Sequence, residues 1–127
     1  MKFQWVTNEQ YGHFIAATGP GKPQYWDDGE IPVGTEKFPV TLVSAKDADA
    51  YCRWAGSRLP TDSEAKEMDE TRPPFLWEWT SDTETSYRVV RGGSWCRNPS
   101  GLRASVRYWR VLTCRDVNFG FRCASLP

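Results

Sequence analysis

Four cysteines, Cys52, Cys96, Cys114 and Cys123, are the side chains of this 127-residue chain with the widest chemistry: nucleophile, metal ligand or disulfide partner. No two of them form a CxxC pair, and the only histidine, His13, lies far from any cysteine cluster, so a zinc site lacks its ligand set. An even count allows two bridges. Without a secretion leader, the expectation is free thiols. Cys52 falls in a helical pattern and Cys123 in an apolar strand, so both read as small buried hydrophobes. Asp27-Asp28 reads as a solvated turn instead of an acid pair, and there is no glycine-rich phosphate loop.

These side chains need a frame, and the composition says what kind. Aromatic residues make up 14% of the chain and tryptophan alone counts 7, so large rings must carry much of the burial in a single domain spanning residues 1–127. No run approaches the roughly 20 apolar residues of a membrane span, and Met1-Lys2-Phe3-Gln4-Trp5 opens no apolar leader, so a cytoplasmic product is expected.

Thr7 with Gln10 is a capping box opening a helix over about residues 8–17, which Gly19-Pro20-Gly21 stops. A Gly-, Pro- and Asp-rich loop follows, in which Tyr25 and Trp26 read as exposed. Residues 38–43 read as a short extended segment. Ser44 with Asp47 caps a second helix carrying Ala45, Ala48, Cys52 and Ala55 on one face. Thr61 with Glu64 caps a third, broken by Pro73-Pro74. Residues 75–80, 87–91 and 119–123 read as strands, with a long irregular stretch between the last two. Helices precede strands, so the fold class is α+β.

Net charge is zero, but residues 91–127 hold seven arginines against the single acid Asp116. The arginines alternate with Trp, Tyr, Leu and Val and no lysine joins them. Stems packed on rings, with heads paired to the acidic first part of the chain, account for this better than nucleic acid, which is not the expected partner.

Several phrases, in order, resemble the formylglycine-generating-enzyme (sulfatase-modifying factor) family: Val6–Tyr11, Phe38-Pro39-Val40, Asp47–Trp54, Arg58–Glu64, Trp77–Asp82, Arg91–Trp95 and Gly120–Ala124. The resemblance covers nearly the whole chain and implies a C-type-lectin-like fold with much irregular structure, and buried Trp77, Trp79 and Trp95. It also implies tests for catalysis. The family's oxidases use two copper-binding cysteines about five residues apart after the Gly-Gly-Ser-aromatic phrase. Here Cys96 follows Trp95 and the second position falls near Gly101. Other branches use a three-histidine iron site, and this chain has one histidine. The family's calcium phrase, Gly-Asn before Val-Trp-Glu-Trp, is replaced by Pro74-Phe75, which leaves Glu78 without its usual Asn. The resulting expectation is a protein that is not an enzyme, with no catalytic residues, no metal and no cofactor.

Residues 91–127 also contain no Lys, Glu, Gln or Met, whereas residues 1–90 contain eighteen. None of these four can be written with a pyrimidine in the third codon position, so adenine-only mutation of Asn codons cannot produce them. The spacing of Gly92–Trp95, Asn98-Pro99, Leu102–Ser105 and Gly120–Arg122 is similar to the variable region of diversity-generating retroelement proteins. Residues 92–123 are therefore expected to form a variable ligand-binding region. Its binding residues would be Cys96, Arg97, Ser100, Gly101, Val106, Tyr108, Trp109, Val111, Leu112, Thr113, Asp116, Val117 and Phe119, with Cys114 also among the diversified positions. Trp109 cannot arise by adenine changes alone, so it is either a fixed residue or a count against that origin. Tyr108 and Trp109 are the natural anchors, and Arg103, Arg107, Arg110, Arg115 and Arg122 are assigned to the frame. The expected partner is a protein or other macromolecular ligand. The open alternatives are a copper oxidase relative and an inactive structural member of the family.

Overall fold

The computed structural model describes residues 3–19, 26, 30–68, 72, 76–92 and 106–125. Among the described residues, three short helices occupy the first part of the chain: α1 (Asn8–Thr18), α2 (Ala45–Trp54) and α3 (Asp62–Glu67). Each opens on a complete capping box. The Thr7, Ser44 and Thr61 hydroxyls accept from the backbone N–H three residues on, and the Gln10, Asp47 and Glu64 side chains accept from the cap's own N–H. Such short helices are marginal alone, and tertiary packing must complete them. Tyr11 and Phe14 of α1 meet Tyr51 of α2, and both tyrosines reach Phe121, with ring centroids 5.4–6.4 Å apart.

Two sheets close around this cluster. β1 (Phe3–Trp5), β7 (Arg122–Ser125) and β2 (Ser57–Arg58) form an antiparallel sheet in the order β1-β7-β2. The second runs β5-β4-β3-β6, from β5 (Val106–Val111), β4 (Tyr87–Gly92), β3 (Trp77–Glu84) and β6 (Phe119–Gly120). β6 is parallel to β3, and the other pairings are antiparallel. Trp79 is completely buried, its indole donates to the Val43 carbonyl at 2.9 Å, and Trp77 is buried beside it. A side chain at Gly92 would overlap the Trp77 ring, so the chain needs glycine where β4 crosses that indole. Trp95 lies outside the described residues.

The α+β class stands, with three local differences. The short extended segment expected at residues 38–43 is interrupted. Pro39 makes only a bridge to Thr7, and Leu42 turns to φ 58, which breaks the extension. β5 occupies part of the stretch expected to be irregular, because its pairing with β4 runs over six residues. Trp26 is buried, not exposed: its indole donates to Asn8 Oδ1 at 3.2 Å over α1. Tyr25, Asp27 and Asp28 lie outside the described residues.

Candidate functional site

β4 is the hinge between two environments. On its β3 side, acids of the first part of the chain meet arginines from both parts, Arg72 and Arg88 from the first and Arg91 and Arg122 from the second. Glu78 is fully buried and accepts from two guanidiniums: Arg72 at 2.7 Å, and Arg122 at 3.1 Å on one oxygen and 2.8 Å on the other. Arg72 also donates to the Ala65 carbonyl, and Arg122 to the Met68 carbonyl while lying 4.6 Å from the Trp5 ring centroid. Asp62 pairs with Arg91 at 2.8 Å, and Asp49 with Arg88 at 2.8 Å. Buried charges persist only when paired and hydrogen-bonded; each of these guanidiniums bonds a carboxylate, although the buried Arg88 Nε makes no hydrogen bond. Both oxygens of Glu78 are engaged by guanidiniums, so this carboxylate is not placed as a calcium ligand.

On the far side of β4, residues 108–111 of β5 have exposed side chains. Its register sets Tyr87 opposite Val111, Val89 opposite Trp109 and Val90 opposite Tyr108. Period-two alternation then sends Tyr108 and Arg110 one way and Trp109 and Val111 the other. Tyr108 stacks on Trp77 with ring centroids 5.4 Å apart, and the Arg110 guanidinium lies 5.2 Å from the Tyr108 centroid. The turn after β5 folds back beside this stack. Its backbone is tied down by Cys114 N–H to the Val111 carbonyl, Leu42 N–H to Asp116, and Trp77 N–H to Asn118. Between stack and turn lies a cleft of about 170 Å³ lined by Trp77, Tyr108, Arg110, Asp116, Asn118 and Phe119.

The residues expected to bind ligand divide accordingly. Tyr108 (48% exposed), Trp109, Val111, Thr113, Asp116 and Val117 (64%) are exposed and share this strand and turn. Leu112 and Cys114 are half-buried and pack against the core. Phe119 needs correction. Only 6% exposed, it packs edge-on to Trp79 at 5.3 Å, because the short β6 is drawn in by parallel pairing with β3; it can floor the cleft but not project from it. Val106 begins β5. Cys96, Arg97, Ser100 and Gly101 lie outside the described residues.

Two frame assignments also change. Arg110 is exposed, and Arg115 is exposed and paired with Asp47 at 3.0 Å, so both belong to the surface. Arg103 lies outside the described residues. Arg122 is frame, but its companions Arg72, Arg88 and Arg91 escaped sequence reasoning. The surplus of acids before residue 91 against arginines from 91 on could have pointed to Arg91, but no sequence signal singled out Arg72 and Arg88.

At the edge of α3, Arg58 grips Glu64 through two bonds of 2.8 and 2.9 Å. The Arg58 bonds, aided by the Thr61 N–H, lower the Glu64 carboxyl to about 2 against the opposing effect of burial. Among the described residues no three of His, Cys, Asp and Glu converge as a metal site, and no helix is long and apolar enough to cross a membrane.

A model of the sulfatase-modifying factor enzyme 1-like domain matches residues 1–67 and 76–126, and that domain type carries the C-type-lectin-like fold expected from the sequence. Three relatives place the match. Hercynine oxygenase of Mycolicibacterium smegmatis is 28% identical, over 95% of this chain and 46% of its own length. Serine/threonine-protein kinase pkn1 of Chlamydia caviae is 22% identical, over 94% of this chain and 31% of its own. Inactive C-alpha-formylglycine-generating enzyme 2 of Bos taurus is 61% identical, over 22% of this chain and 9% of its own. The chain thus spans between about a third and a half of the first two. These relatives overturn the expectation that the chain is not an enzyme: a protein named as an oxygenase matches it almost end to end. That expectation rested on counting cysteines and histidines in a chain spanning less than half of that relative, and such a count is no measure of the family's chemistry.

Proposed function

The chain belongs to the sulfatase-modifying factor enzyme 1-like family, and on that premise we propose that it uses the family frame to display a ligand-binding surface on β5 and the following turn, within a region at residues 92–123 diversified by a retroelement. One observation carries the reading: Tyr108, Trp109, Val111 and Val117 are all large, apolar and exposed within ten consecutive positions. Clustered exposed apolar side chains mark interaction sites, and aromatic anchors supply contact energy at small entropic cost. Thr113 and Asp116 add directional polar contacts on a backbone held by the bonds described above, as in other loop-borne binding sites. The absence of Lys, Glu, Gln and Met from residues 91–127 supports the diversified origin. The partner of such a surface is a protein or another macromolecule.

Sequencing the surrounding DNA tests this. The expected result is a near-repeat of the codons for residues 92–123, differing at adenines, beside a reverse transcriptase gene. A locus with neither would overturn the diversified origin.

A second reading, a catalytic relative of the formylglycine-generating copper oxidases, is favoured by the family match and by the oxygenase relative. It expects Cu(I) binding and oxygen uptake with a cysteine-containing peptide. An oxygen electrode distinguishes it from binding alone.

A further inference from the structure

The two sheets end on edge strands of unequal length. β1, β2 and β6 are three, two and two residues long, whereas β5 runs over six, all of them paired with β4. Among the described residues no strand pairs with the other side of β5. Alternate N–H and C=O groups of such a strand point away from its sheet and offer a template for one more strand. Proteins blunt long edges with proline, lysine or a covering element, and β5 contains neither proline nor lysine. Its two faces also differ. Directly opposite residues share a face, so Tyr87, Trp109 and Val111 are exposed together on one side, with Tyr108 and Arg110 on the other. Arg110 lies over the Tyr108 ring and donates to the Trp109 carbonyl at 3.0 Å. Among the described residues no carboxylate pairs with it, unlike Arg88, Arg91, Arg115 and Arg122.

We infer, resting on the binding surface proposed above, that β5 takes up an extended segment of a partner protein as an added strand. That segment carries a carboxylate opposite Arg110 and apolar residues opposite Trp109 and Val111. Main-chain hydrogen bonds to the edge supply affinity, and the alternating side chains supply selectivity. A residue directly opposite Arg110 stands on the same face and within cross-strand reach, where an opposite charge is favourable and a like charge is not. Its two neighbours fall on the other face, where Tyr87, Trp109 and Val111 present apolar surface. Charge points to an acidic partner as well. Residues 106–117 hold Arg107, Arg110 and Arg115 against the single acid Asp116. The Asp116 carboxylate accepts from the Asn118 N–H, so the partner's acid belongs beside the strand and not within the cleft. The same positive charge disfavours a basic segment, and disfavours a second copy of β5, which would bring its own two arginines to the edge.

The test screens the whole protein against a phage-displayed library of linear peptides, then follows backbone amide exchange by NMR with the best binder added. The expected result is enrichment of peptides that alternate apolar and acidic residues, with exchange slowed at alternate amides of residues 106–111. Methylating the peptide's backbone nitrogens on the alternate set that faces β5 should weaken binding by about tenfold or more, and methylating the other set should not. Arg110→Glu should reverse the selection, enriching lysine and arginine where the parent enriches acids. Peptides that bind without slowing those amides, and lose binding in Tyr108→Asn, would overturn strand addition while leaving the surface itself in place. A library that yields no binder would also overturn it, and the surface would then stand or fall on the DNA test above. An unchanged acidic preference in Arg110→Glu would overturn the role given to that arginine. Self-association of the protein alone, with the same amides slowed, would assign the edge to a second copy and overturn the partner named here.

Discussion

Glu78 and Tyr108 stand two strands apart in one sheet, and their surroundings are opposite. Around Glu78 the charged groups are enclosed and hydrogen-bonded, Arg72 and Arg122 sharing its one carboxylate and Arg91 held by Asp62. Around Tyr108 the rings and aliphatic groups face water, and Arg110 rests over a ring. The first region can change only by leaving buried charge unpaired. The second should change with smaller effect on folding, because its exposed side chains make few contacts beyond the Tyr108–Trp77 stack, the Arg115–Asp47 pair and the Asp116 Oδ1 bond to the Asn118 N–H. The backbone bonds of the turn, which do not depend on side-chain identity, hold it instead. Under the function proposed above, that division lets one fold stay constant while its outer strand is rewritten.

Breaking the enclosed region should have the largest effects. Glu78→Ala leaves two guanidiniums buried without their carboxylate and should cost about 3–5 kcal/mol in denaturant unfolding. Trp79→Ala removes a fully buried ring and its bond to Val43, with a similar expected loss of about 3–5 kcal/mol. Near-wild-type melting of either variant would mean the core has been drawn around the wrong residues. At the boundary, Asp47 completes the capping box of α2 and pairs with exposed Arg115; Asp47→Ala should cost about 1 kcal/mol, mostly from the broken box.

The smallest effect sharpens the comparison through pH. Glu64→Gln keeps the capping acceptor and removes the charge facing Arg58, so at neutral pH it should cost about 0.5 kcal/mol. The folded carboxyl titrates near 2 instead of 4.5, so its contribution is complete above the ordinary carboxylate range and falls away as pH drops toward 2. Melting curves of parent and variant should converge there. A gap unchanged down to pH 2 would assign the effect to shape instead of charge.

What the sequence disclosed was local. Thr7 with Gln10, Ser44 with Asp47 and Thr61 with Glu64 lie three residues apart, and the structure completes each box. Strands rich in aromatic and β-branched residues, such as that of Trp77 and Trp79, were also legible. Missed features depend on distance along the chain. Arg72 and Arg122 converge on Glu78 from different elements, and no spacing rule links them. β5 has no turn residues to frame it and exists by pairing with β4. Phe119 read as a surface position until its pairing with β3 turned it inward. The candidate surface was legible because its signal is compositional, in the residue types missing after position 90. Its division into exposed anchors and a buried floor required the register.

The most direct test of the account sets the two regions side by side in one calorimetric series: Arg122→Asn against Tyr108→Asn, Val111→Asn and Asp116→Asn. The account predicts that the three surface variants stay within about 0.5 kcal/mol of the parent, while Arg122→Asn, which leaves Glu78 half-answered, melts clearly lower. If the three destabilise as much as Arg122→Asn, β5 and its turn are ordinary core, and the binding surface proposed for them is wrong.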